Sequence, residues 1–213
     1  MNPLWDLPTR LFHWLLVAAL FASWLSHQQE WINLHLWSGY TVLVLVGFRL
    51  SWGVVGSAHS RFGDFMQSPA AVWRYWQGGE SARSGHNPAG GWAVLTMLLV
   101  ILVQALSGLF NSDGLLFEGP LYHALDSAWT DKLGALHEQG FWILLGLVVL
   151  HTGAILYYQF GSPAENLIGP MFTGGKGGHQ PPVSLWRALV VLLLCVASLA
   201  AAVYWAPAPE LPW

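Results

Sequence analysis

The chain has 213 residues, of which 54% are apolar and 9% charged, with a formal net charge of −3. A soluble domain carries roughly 25% charged residues, so this composition excludes an ordinary water-soluble globule. With eight basic residues against eleven acids it offers no footing for nucleic acid either. The expected class is an integral membrane protein.

In chain order, apolar residues cluster at about 11–26, 35–56, 92–110, 137–158 and 185–206. A helix needs roughly 20 residues to cross ~30 Å of hydrocarbon. Four stretches meet that length, and "DLPTR" supplies an opening turn for the shorter first one. Unpaired backbone groups are not tolerated in lipid, so the spans are expected to be α-helices, giving an all-α membrane bundle. The first span is expected to stay as an anchor, since no basic leader precedes it and no A-x-A site follows. Between the second and third spans, "SPAAVWRYWQGG" reads as a short amphipathic helix on the membrane surface, and Asn87-Pro88 as a helix-start signal. The stretch 111–131 is long enough to fold over the outer surface. The stretch 161–184, with "GPMFTGGKGGHQPP", reads as a flexible Gly/Pro-rich linker. It fails as a phosphate loop, because Gly177 rather than Ser or Thr follows Lys176 and no strand precedes it. The organisation expected is a four-helix core over 1–160, a cytoplasmic linker over 161–184 and a fifth transmembrane helix over 185–206.

Charge sets the orientation. With the N-terminus in the cytoplasm, Arg10, Arg49, Arg61, Arg74, Arg83, Lys176 and Arg187 all fall inside and only Lys132 falls outside. The C-terminus then lies on the outer side, after five crossings. Seven outer acids (Glu30, Asp113, Glu118, Asp126, Asp131, Glu138, Glu210) against Lys132 leave the outer face at −6; seven inner cations against four acids leave the inner face at +3. An acidic outer face is commonplace, but it also suits a basic soluble partner steered by charge. Most of the 14 tryptophans stand near span ends, as interfacial anchors do.

Nine histidines remain to be explained. His59, His86, His123 and His179 fall in loops and read as solvated, and His27 closes the first span at the outer interface. His13, His35, His137 and His151 lie within spans, where an ionisable side chain is expensive and marks function. His137 and His151 are fourteen residues apart, about 21 Å along a helix and within roughly 40° of one face. The topology places His35 at the outer level with His137, and His13 at the inner level with His151. Zinc asks for four tight ligands, and two imidazoles per level do not supply them. A haem asks the protein for only two axial ligands and a helix-walled apolar slot. Two levels therefore point to two b-type haems, and no C-x-x-C-H motif provides a covalent attachment. Gly39, one turn after His35, Gly140 and Gly146 offer room between helices, although small residues also serve plain helix packing. Arg10 and Arg49 lie toward the inner side as partners for haem propionates, or as positive-inside anchors. Gln104 and Ser107 read as helix-to-helix hydrogen-bonding groups, and no quinone site is legible.

The segments "WDLPTRLFHWLL", "HLWSGYTVLVLVGFRLSWG", "GHNPAGGWAVLTMLLVILVQALSGLF" and "LHEQGFWILLGLVVLHTGA" resemble the bacterial cytochrome b561 family, which includes the b-type cytochrome subunits of nickel-iron hydrogenases. The resemblance covers about residues 4–176. It implies a four-helix core with two haem b groups, passing electrons between the quinone pool and a partner, with His13, His35, His137 and His151 at the family's ligand positions. The expected function is a membrane electron carrier handing electrons to or from a periplasmic partner such as a soluble c-type cytochrome. The rivals are a quinone-linked oxidoreductase acting on a small acceptor such as superoxide, with Lys132 as the outer cation to watch, the haem-bearing anchor of a hydrogenase or dehydrogenase, and a proton-coupled transporter.

Overall fold

The computed structural model describes residues 3–78, 88–114, 117–161, 167–176 and 182–207. Glu80, Arg83, His86, Asn87, Glu165, His179 and Glu210, together with the glycines after Lys176, lie outside the described residues. Five helices are long and apolar enough to cross a membrane: α1 (Leu7–Gln28), α2 (Ile32–Val55), then, beyond two short helices, α5 (Pro88–Gly108), α6 (Ser127–Gly161) and α8 (Leu185–Tyr204). The short ones are α3 (Phe62–Phe65), α4 (Pro69–Trp76) and, before α8, α7 (Ile168–Thr173). No strand occurs among the described residues beyond a single bridge, Ser112 to Glu118.

α2 is the hub. It packs against α1, α5 and α8, whereas the extensive contacts of α6 are with α5. The reason is the distribution of apolar side chains that find partners. Val42, Leu45, Val46, Phe48 and Trp52 recur at helical spacing on α2 and are buried against Phe12, Leu16 and Ala19 of α1 and Leu98 and Ile101 of α5. α6 buries only Thr130, Gly140 and Leu144 along its length. Its Val149 and Leu150 stay exposed within the protein, as side chains facing lipid do. α6 is thus held along one side, with its other flank standing off α1 and α2.

The start of α1 is fixed by one carboxylate. Asp6 is the N-cap, its Oδ1 accepting the Thr9 N–H at 2.9 Å. Its Oδ2 accepts the Trp52 indole N–H at 2.9 Å, which pins the start of α1 to the C-terminal end of α2. Arg49 is within electrostatic range and packs over the Phe62 ring, 5.0 Å from its centre. Phe62 in turn fills the space where Gly53 has no side chain.

Two segments depart from the expectations. α6 begins ten residues before the apolar run at 137, and its 35 residues span about 52 Å, well beyond ~30 Å of hydrocarbon. Within the stretch read as linker, 167–176 is held against α1. The Arg10 guanidinium donates to the Phe172 carbonyl, Trp14 Nε1 donates to the Met171 carbonyl at 3.1 Å, and Trp14 and Phe172 stack at 4.5 Å. The Trp5 N–H closes the contact on the Gly174 carbonyl at 3.0 Å, where Gly174 takes φ +93°. α4 lies where the amphipathic helix was expected, capped by Ser68.

Replacing Asp6 by Ala removes a helix cap and the acceptor of a buried indole N–H, and leaves Arg49 facing no carboxylate. The expected loss is roughly 3 kcal/mol, read as a lower thermal midpoint of the detergent-solubilised protein. An unchanged midpoint would show that Asp6 does not hold the α1–α2 junction.

Candidate functional site

The level that pairs His35 with His137, read above as the outer one, is built by four helices. His35 lies in the first turn of α2, and His137 lies three turns into α6. Their ring centres are 6.1 Å apart and the ring planes stand at 86°. Each ring is oriented by a carbonyl from a different neighbour. His35 Nδ1 donates to the Ser23 carbonyl of α1 at 2.9 Å, and His137 Nδ1 donates to the Gln104 carbonyl of α5 at 2.8 Å. A carbonyl only accepts, so the proton of each neutral imidazole sits on Nδ1 and Nε2 keeps its lone pair. The Gln104 amide nitrogen is also 3.3 Å from His137 Nδ1. That contact is not the orienting one, since the amide donates at 2.8 Å to the His137 carbonyl.

Glycine lets α5 and α6 come this close. A Cβ on Gly108 would stand 2.8 Å from His137 Cε1, and one on Gly140 would run into the Gln104 side chain. Gly39 and Gly146 differ from these two. A Cβ there meets nothing within 4 Å, so protein packing does not demand a glycine at either place. His27 adds a third imidazole at this level, its ring centre 6.0 Å from that of His35.

The inner level is less tightly seated. His13 and His151 are half-buried and within electrostatic range of each other, and the His13 ring meets the edge of Trp14 at 4.8 Å. Three of the side chains singled out in the sequence carry a buried polar atom with no protein partner: His13 Nδ1, Arg10 Nε and Arg49 Nη1. Arg49 is only 3% exposed. A desolvated cation with an unmade hydrogen bond is costly, so this end of the bundle has donor capacity to spare for an acidic group.

Two neutral imidazoles with their Nδ1 protons bonded to carbonyls and their ring centres 6.1 Å apart suit a metal whose remaining ligands come from elsewhere. Two metal–imidazole bonds of about 2 Å each, extended to the ring centres, put those centres roughly 6 Å apart, as they are here. No cluster of three or more His, Cys, Asp or Glu able to hold a bare ion is found among the described residues. The donor set therefore fits haem, which brings four nitrogens of its own, better than zinc.

These features define a helical membrane protein with paired haem-competent imidazoles. Residues 4–174 match the prokaryotic cytochrome b561 family, and the chain belongs to that family. It is accordingly a multi-pass membrane cytochrome of the b type, from a family that binds haem b and transfers electrons. The match ends before α8, which packs on α2 through Ala188 and through Cys195, whose sulfur faces Gly47. No curated protein and no solved structure matches the chain.

Gln104 and Ser107 were legible as polar groups at membrane depth. Ser23, Ser26 and Gly108 were not, because serine and glycine in an apolar helix carry no signal of what packs on them. Gly108→Val would push the His137 ring off its seat. The expected result is loss or spectral broadening of haem absorbance, against an unaltered spectrum for Gly146→Ala. A parent-like spectrum for Gly108→Val would contradict the seat.

Proposed function

We propose that the chain carries two haem b groups, one above the other, and passes electrons between the quinone pool and a basic soluble partner such as a periplasmic c-type cytochrome. His35 and His137 hold the outer haem, and His13 and His151 the inner one. The observation that carries this reading is the outer pair: two imidazoles at bis-histidine spacing, each with its proton committed to a backbone carbonyl. Gly39, open and one turn from His35, leaves room for a macrocycle. At the inner level, Arg10 and Arg49 serve the propionates with the donors they leave unmatched.

Bound haem supplies a one-electron carrier, and the side chains do the rest. The carbonyls of Ser23 and Gln104 keep the imidazoles from rotating, and the apolar bundle keeps water from the slot. Charge biases the two levels in opposite directions. The acids Glu30, Asp113, Glu118, Asp126, Asp131 and Glu138 favour the oxidised outer centre, while Arg10 and Arg49 make the inner one easier to reduce. With the N-terminus cytoplasmic in the bacterial inner membrane, the acidic face meets the periplasm and steers a basic partner.

The test is haem content in detergent with reduced-minus-oxidised spectra. The parent is expected to hold two haems per chain, and His35→Ala or His151→Ala one each, with different spectra lost. A haem count unchanged by both substitutions would refute the pairing. Electron exchange with a basic c-type cytochrome is expected to slow steeply as ionic strength rises past the range where the Debye length is about 10 Å. A salt-independent rate would remove the acidic face as the docking surface.

A further inference from the structure

Two helices unrelated in sequence seat the outer imidazoles in the same way, and the likeness lies in a serine. The Ser23 carbonyl that takes the His35 proton also accepts the Ser26 hydroxyl, at 2.9 Å. The Gln104 carbonyl that takes the His137 proton also accepts the Ser107 hydroxyl, again at 2.9 Å. In both cases the serine stands three residues after the carbonyl. Both serines are buried outright, Ser26 at 0% and Ser107 at 2% exposure. Both carbonyls lie within the last two turns of their helix, α1 ending at Gln28 and α5 at Gly108.

A carbonyl oxygen has two lone pairs, and within an α-helix it also serves the N–H four residues on. A hydroxyl and an imidazole N–H then compete for what remains, and each weakens the other's bond. The strength of the Nδ1–H bond sets how strongly the opposite ring nitrogen donates to a metal. Stronger donation favours ferric iron and lowers the potential.

A buried serine in a membrane helix often bonds back to its own chain simply to satisfy its hydroxyl. Ser38 does so: it is 6% exposed and donates to the His35 carbonyl at 2.9 Å, where no imidazole is bonded. It has the same local geometry without a ring on the oxygen, which makes it an internal control.

We propose that Ser26 and Ser107 are a matched pair of positioning residues for the outer redox centre. By sharing the two orienting carbonyls they restrain the Nδ1–H bonds of His35 and His137 and hold the outer potential up. This rests on the assignment of His35 and His137 to the outer haem.

The experiment is a potentiometric titration of the purified full chain, with haem per chain and spectra, for the parent, Ser26→Ala, Ser107→Ala and Ser38→Ala. Both outer variants are expected to keep the parent haem count. Each should shift one midpoint downward, that of the haem lost in His35→Ala, while Ser38→Ala shifts neither. An unchanged or raised outer midpoint, loss of haem, or an equal shift in Ser38→Ala would overturn the proposal and leave the ligand assignment standing. Haem retained in both His35→Ala and His137→Ala would sink that assignment, and the serine proposal with it.

Discussion

The architecture depends on committing a proton. A histidine in hydrocarbon is costly unless its N–H is bonded, and at the outer level each ring meets that demand by donating to a backbone carbonyl of a neighbouring helix. The bond does two things at once. It makes a polar ring tolerable in the bundle, and it fixes the tautomer, so that the other nitrogen keeps its lone pair. α1 and α5 therefore matter to this site mainly through their backbones, although the rings belong to α2 and α6. α2, packed on three helices, gives its ring a rigid mount. α6, held mainly by α5, faces it across a flank that helix packing has not closed.

The two levels are not copies of one another. The outer rings are oriented by neighbours on the protein itself, with Gly108 and Gly140 bringing α5 close enough for that. At the other level, His13 Nδ1, Arg10 Nε and Arg49 Nη1 are buried atoms without partners. α7 closes this end through Arg10 and Trp14, so the stretch after α6 takes part in the inner architecture.

Much of this was legible in the sequence because a membrane is a severe filter. Only continuous apolar runs cross it, so all five spans stand out, and depth alone puts His35 beside His137, whose rings lie 6.1 Å apart. What escaped has local causes. The first ten residues of α6, "SAWTDKLGAL", carry Ser127, Thr130, Asp131 and Lys132, and a hydropathy scan does not see a helix made partly of polar residues. The docking of 167–176 rests on Arg10 and Trp14, more than 150 residues away, and its own Gly and Pro content reads as a loop. Ser107 stands out only as a polar group at membrane depth, and Ser26 not at all, until the imidazole on the shared carbonyl is known.

The central claim is axial ligation of an iron by His35 and His137, and their near-perpendicular ring planes give it a spectroscopic signature. Imidazole planes crossed at 86° leave the iron orbitals that they engage almost equal in energy. The oxidised protein is therefore expected to give a strongly anisotropic low-spin ferric resonance at low temperature, lost on His35→Ala. A high-spin resonance in the parent, or a low-spin spectrum left unchanged by removal of His35, would contradict the account.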